Sequence, residues 1–169
     1  MDIHHLDSNS FLLYQDNFLD TQDFNTLKHW LETQTFETGS TINGSRIDRE
    51  QLWFQKENKY FCPLWKRRHA RWESKEYNKI IDKIQNIVQN YLNEISKCLK
   101  LNKTSINSCL VNKYEDGEAC ITPHSDSSLS FGERPVIIGL SIGDTSHPRL
   151  IFRISRSFSF AYERACVTA

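Results

Sequence analysis

The chain of 169 residues carries no net charge, because 21 Lys and Arg balance 21 Asp and Glu. No global field draws it to nucleic acid, so any such binding has to come from a local patch. It also lacks an apolar run near the roughly 20 residues that span a bilayer, and no signal peptide is recognisable. The five cysteines, Cys62, Cys98, Cys109, Cys120 and Cys166, are odd in number and none forms Cys-x-x-Cys. That usage argues for a reducing compartment and against a zinc site or redox pair. An intracellular protein, nuclear or cytoplasmic, is expected. Repeats and low-complexity segments are missing too.

What is present describes a globular protein. Hydrophobic residues make up 38% and charged residues 25%, a balance that excludes a disordered chain. The length suits one domain, residues 1–169, with a real core. Aromatics are plentiful enough to serve a core, a base-stacking surface, or both.

Along the chain, residues Met1 to Ser10 read as a loose terminus and Phe11 to Tyr14 as an edge strand. Asp20 and Thr21 offer an N-cap to a scaffold helix whose Phe24, Leu27, Trp30 and Leu31 share a face. Phe36 to Ser45, rich in Thr, Gly and Ser, reads as loop. Ser74 can cap the clearest helix, with Ile80, Ile81, Ile84, Ile87, Val88, Tyr91, Leu92 and Ile95 at three- and four-residue spacing. Its stripe is core. Val136 to Ile142 is apolar on both faces, as a central strand would be.

Between these elements lies the most informative stretch. In Cys109-Leu110-Val111-Asn112-Lys113-Tyr114, alternation puts Asn112 and Tyr114 on one strand face and Cys109 and Val111 on the other. An acidic-Gly turn follows, then His124 and Asp126, again two residues apart. An imidazole and a carboxylate can converge at that spacing, and with a second His they make the facial triad of non-haem iron oxygenases. On spacing alone the plainer reading is favoured, a turn in which Asp126 bonds to backbone amides.

The order changes that balance. Asn-x-Tyr, acidic-Gly turn, His-x-Asp, Pro135 and an apolar strand ending Ser141-x-Gly143 resembles the AlkB family of iron- and 2-oxoglutarate-dependent dioxygenases, from about Ser108 to Gly143. The resemblance implies Fe(II) on His124 and Asp126, and 2-oxoglutarate beside Asn112 and Tyr114. It implies oxidative demethylation of alkylated bases, with O2 as oxidant, in DNA repair or on RNA. The partner is then methylated DNA or RNA, no membrane is involved, and the protein acts as a monomer. It also implies an α+β fold, with N-terminal helices packed on a jelly-roll-like double-stranded β-helix. Where many members carry further acidic residues, this chain has Ser127 and Ser128.

Residues 46–72 form a second informative stretch. Arg49, Gln51, Trp53, Phe54 and Tyr60 precede Trp65-Lys66-Arg67-Arg68-His69-Ala70-Arg71-Trp72. Bases stack on aromatic rings while Arg and Lys neutralise phosphates. A strand pair with core aromatics and a solvated basic turn fits the same residues about equally well. The resemblance tips the reading toward a nucleotide-recognition lid. It places Arg49, Gln51, Phe54 and Tyr60 on the substrate, with Trp53 competing with Phe54.

The family needs a distal His and an Arg as well. His147 is the only histidine after His124 and reads as a surface turn residue; Arg149, Arg153, Arg156 and Arg164 stand in no motif. The tail from Ser155 resembles none of the family's closing strands. The expectation is an enzyme of this family whose β-helix is incomplete at its C-terminus, lacking the distal His and Arg, so that its activity is left open. A non-catalytic nucleic-acid-binding or regulatory fragment, using the Arg49 to Trp72 surface, is the alternative.

Overall fold

The computed structural model describes residues 2–6, 11–40, 44, 46–56, 74–101, 103–115, 119, 136–143 and the backbone of 164–168. Their elements are β1 (Asp2–His5), β2 (Phe11–Tyr14), α1 (Thr21–Glu32), β3 (Glu37–Ser40), β4 (Arg46–Gln55), β5 (Lys75–Glu76), α2 (Lys79–Leu99), β6 (Ser108–Lys113), β7 (Ile137–Ser141) and β8 (Arg164–Thr168). Helix and strand are mixed. The chain divides into two compact units, Trp30–Asp126 and Met1–His29 with Ser127–Ala169.

In the first unit β4 is the strand on which the others are built. Its second half, Gln51-Leu52-Trp53-Phe54-Gln55, is buried at every position, so both faces of the strand are covered. One edge pairs antiparallel with β3 and then parallel with β5. The other pairs antiparallel with β6, without a break from Glu50↔Lys113 to Gln55↔Ser108. Lys75 and Glu37, 3.0 Å apart, tie the two short edge strands together.

Leu52 and Phe54 form the core with Ile81 of α2, and Trp30, Phe36, Tyr77, Cys109 and Val111 pack around them. Each such burial stabilises by about 1.5–3 kcal/mol. The Trp30 and Phe54 rings meet at 5.8 Å and 55°, the tilted contact that ring quadrupoles favour.

Helix α2 follows its periodicity. Ile81, Val88, Leu92 and Ile95 are buried, with Gln85 and Ser96 in the same stripe. Its cap, however, is Asn78, whose Oδ1 accepts from the Ile80 and Ile81 amides at 2.9 and 3.0 Å. Ser74 lies too far upstream, because β5 intervenes. Lys100 ends the helix in the left-handed region, φ 54, and lets the Leu101 amide reach back to the Ser96 carbonyl at 2.9 Å. Gln89 then fastens the return segment. Its Nε2 donates to the Thr104 carbonyl at 2.9 Å and its Oε1 accepts from the Ile106 amide at 2.8 Å.

In the other unit the strand order is β1-β2-β8-β7. The expected loose terminus contains β1, which pairs antiparallel with β2 from Asp2↔Tyr14 to His5↔Phe11. Phe11 to Tyr14 is consequently no edge: β1 lies on one side and β8, running parallel, on the other. The residues Glu37 to Ser40, expected as loop, are strand for a similar reason, since β4 offers them a partner. Expected as central, β7 stands last among the described strands of this sheet and is half-buried throughout. Helix α1 begins as anticipated, with Asp20 Oδ1 accepting from the Asp23 amide at 2.7 Å.

Candidate functional site

Residues directly opposite one another on antiparallel strands share a face. The β4–β6 register therefore sorts the side chains without ambiguity. Leu52↔Val111 and Phe54↔Cys109 face the core, while Gln51↔Asn112, Trp53↔Leu110 and Gln55↔Ser108 face the other way, with Arg49 beside them. One side of this strand pair is apolar; the other is a row of polar side chains.

At the centre of that row, Asn112 Oδ1 accepts two hydrogen bonds. Arg49 Nε donates at 3.1 Å and Gln51 Nε2 at 2.5 Å. Turning the Gln51 amide over would let its Oε1 accept from Arg49 Nε at 3.0 Å and Nη2 at 3.3 Å, but would set it 2.5 Å from Asn112 Oδ1. Two acceptors cannot meet at that distance without a proton, so that arrangement requires Asn112 to turn as well. The arrangement in which Asn112 accepts keeps both bonds to Oδ1, but it sets Gln51 Nε2 3.0 Å from Arg49 Nε, donor to donor. It fills both lone pairs of Oδ1 and leaves the Nδ2 donors to face a ligand.

Further along, Trp53 Nε1 donates to Ser108 Oγ at 2.8 Å, and Ser108 Oγ donates to the Phe54 carbonyl at 3.3 Å. Gln55 Oε1 is buried with no hydrogen-bond partner among the described residues. The row opens outward along β6: Gln51 is 1% exposed, whereas Leu110 is 50% and Tyr114 44% exposed. On the core side, Lys113 closes the strand end by donating to Glu50 at 2.9 Å and Glu115 at 3.2 Å. Hydrogen bonds to Glu50 and then Glu115 raise its pKa. Burial pushes the Cys109 thiol from 9.0 up to about 11, so it is an inert core group and not a nucleophile.

Arg49 and Gln51, expected in a lid, thus touch Asn112, expected beside the cosubstrate, and two groups of candidates form one cluster. Trp53 lies on the same face. Phe54 does not: it is 3% exposed and sits in the core, so its stacking role gives way to a packing one. Ser108 and Gln55 belong to the polar row and were not singled out by sequence, although extending the alternation from Asn112 and Gln51 finds both. Tyr60, His124, Asp126, Ser127, Ser128, His147 and the basic cluster Trp65 to Trp72 lie outside the described residues. Among the described residues no three His, Cys, Asp or Glu side chains gather to hold a metal.

The donor set suits a carboxylate. A side-chain amide presenting N–H groups from a half-buried sheet face is what an oxyanion-bearing ligand requires. Among the described residues no helix is long and apolar enough to cross a membrane. No curated protein and no solved structure matches the chain significantly. The model of the 2OG-Fe(II) oxygenase superfamily matches residues 11–156, a family that implies Fe(II), 2-oxoglutarate and O2 and suggests a dioxygenase. On that match, which takes in the whole polar row, the chain belongs to the 2OG-Fe(II) oxygenase superfamily.

Proposed function

We propose that this protein is a dioxygenase of AlkB type that demethylates alkylated bases in DNA or RNA. Family membership supports the cofactor pair, and the ordered motif from Ser108 to Gly143 supports the subfamily. The observation that carries the reading is the Arg49–Gln51–Asn112 cluster, which holds the Asn112 amide on the polar face of the β4–β6 pair.

In this reading residues 1–169 are one AlkB-like domain and the strands belong to a jelly-roll-like double-stranded β-helix. His124 and Asp126 supply the nitrogen and oxygen donors that suit Fe(II). Asn112 Nδ2 and the Tyr114 hydroxyl donate to the cosubstrate carboxylate. When bound, iron and 2-oxoglutarate supply the oxidising chemistry, with succinate and CO2 as by-products. The chain itself binds, orients and excludes water. Residues 46–72 serve as the nucleotide-recognition lid, with Tyr60 as its aromatic surface, Trp53, only 7% exposed, packed at its base, and the Trp65 to Trp72 segment meeting phosphates.

The test is succinate formation from 2-oxoglutarate with Fe(II) and ascorbate, with and without a methylated oligonucleotide. Turnover stimulated by the oligonucleotide, with formaldehyde released, is expected. Turnover indifferent to any methylated nucleic acid would remove the AlkB assignment and leave the family. Oligonucleotide binding without succinate would favour the non-catalytic fragment.

A further inference from the structure

Arg49 is in a position to do something other than meet a base. Its Nε donates to Asn112 Oδ1 at 3.1 Å, and Gln51 Nε2 donates to the same oxygen. Arg49 and Gln51 are two residues apart on β4, and Asn112 stands opposite Gln51 on β6. An Asn side chain turns about two bonds and its amide can face either way. Arg49 Nε can only donate, so its bond to Oδ1 selects the orientation in which Asn112 keeps its N–H groups for a ligand, although Gln51 Nε2 then stands 3.0 Å from Arg49 Nε, donor to donor.

We infer that Arg49 is a positioning residue for the cosubstrate, holding the Asn112 amide so that Nδ2 faces the carboxylate of 2-oxoglutarate. The inference rests on the proposed placement of the cosubstrate at Asn112. It separates Arg49 from the substrate contacts of the lid: its effect reaches the cosubstrate through another side chain. Gln51 shares the task. Being 1% exposed, it has little surface to offer a base.

The experiment is a double-mutant cycle in binding, not turnover. Dissociation constants for 2-oxoglutarate in the presence of Mn(II), and separately for a methylated oligonucleotide, are measured for the parent, Arg49→Ala, Asn112→Ala and the double variant. Arg49→Ala is expected to weaken 2-oxoglutarate binding at least tenfold and oligonucleotide binding less than twofold. In the Asn112→Ala background the same change is expected to do nothing further, because the group it positioned is gone. Losses that multiply in the double variant would mean that Arg49 meets the anion directly, and would overturn the inference. So would lost oligonucleotide binding with the cosubstrate unaffected. Should Arg49→Ala fail to give a cooperative melt, the cycle is run with Arg49→Gln, which keeps a neutral donor; failure of both would make Arg49 a general structural residue and end the proposal. If the parent binds no 2-oxoglutarate, the placement of the cosubstrate falls first. If it binds and only the coupling is missing, Arg49's role alone falls.

Discussion

Trp53 donates its indole N–H to Ser108 Oγ at 2.8 Å, although the residue directly across from Trp53 is Leu110. The bond is therefore diagonal, and it ties the indole of β4 to β6 on the polar side of the strand pair. Ser108→Ala removes the acceptor and should cost about 1 kcal/mol, the net worth of an ordinary hydrogen bond. A shift in the denaturant midpoint at constant slope is the readout. An unchanged midpoint would mean the indole contact contributes nothing.

Phe54 and Leu110 are expected to behave oppositely. Phe54→Ala opens a cavity beneath Trp30 and Ile81 and should destabilise by about 3–5 kcal/mol. Leu110, half exposed on the polar side, should cost no more than about 0.5 kcal/mol when cut to Ala. Thermal melts of the two variants check both.

Asn112→Asp tests which way the amide faces. A carboxylate at this position still accepts from Arg49 and Gln51, and gains an ion pair, so the melting temperature should hold or rise. It has no donor left for an anion. Loss of a hydrogen bond to a charged group, about 1.5–3 kcal/mol, predicts 2-oxoglutarate binding weaker by roughly ten- to a hundredfold. Stability and cosubstrate affinity moving in opposite directions is the signature. A variant that binds the cosubstrate normally would show that Asn112 offers its oxygen instead.

The Cys109 thiol makes an alkaline prediction. Burial raises it from 9.0 to about 11 in the folded protein, so over that interval the unfolded chain gives up the proton first. Stability is intact below pH 9 and falls between pH 9 and 11, by about 2–3 kcal/mol from this group. Cys109→Ala should flatten the slope between pH 9 and 10, before Tyr77 and Lys113, both also raised, contribute. Alkylation mapped by mass spectrometry should find the exposed Cys98 modified well before Cys109.

Much of this arrangement is written locally. The helix stripes, the Asp20 cap and the alternation that sets Asn112 apart from Val111 all depend on near neighbours, and each is legible. Strands β1, β3 and β8 are not, because a short polar segment becomes a strand only when a distant one offers it an edge. The same blindness hid the contact of Arg49 with Asn112, which lie 63 positions apart. The choice between Trp53 and Phe54 was within reach: Leu52 and Phe54 share a parity, and the parity carrying two apolar side chains faces the core. The mistaken cap at Ser74 came from overlooking that two residues of strand fit before Asn78.

Gln89 has a consequence for error as well as for holding. A strand repeats every second residue, so a slip of one position between β4 and β6 would turn Ser108 and Asn112 into the core and expel Cys109 and Val111. By gripping Thr104 and Ile106 from the helix, Gln89 fixes where β6 begins counting. Chains that start one residue early or late would have to leave the Oε1 end of a half-buried amide unsatisfied, with Nε2 keeping only Asn93, and proofreading of the strand register is thereby done from the helix, by a side chain bonded to the segment ahead of β6.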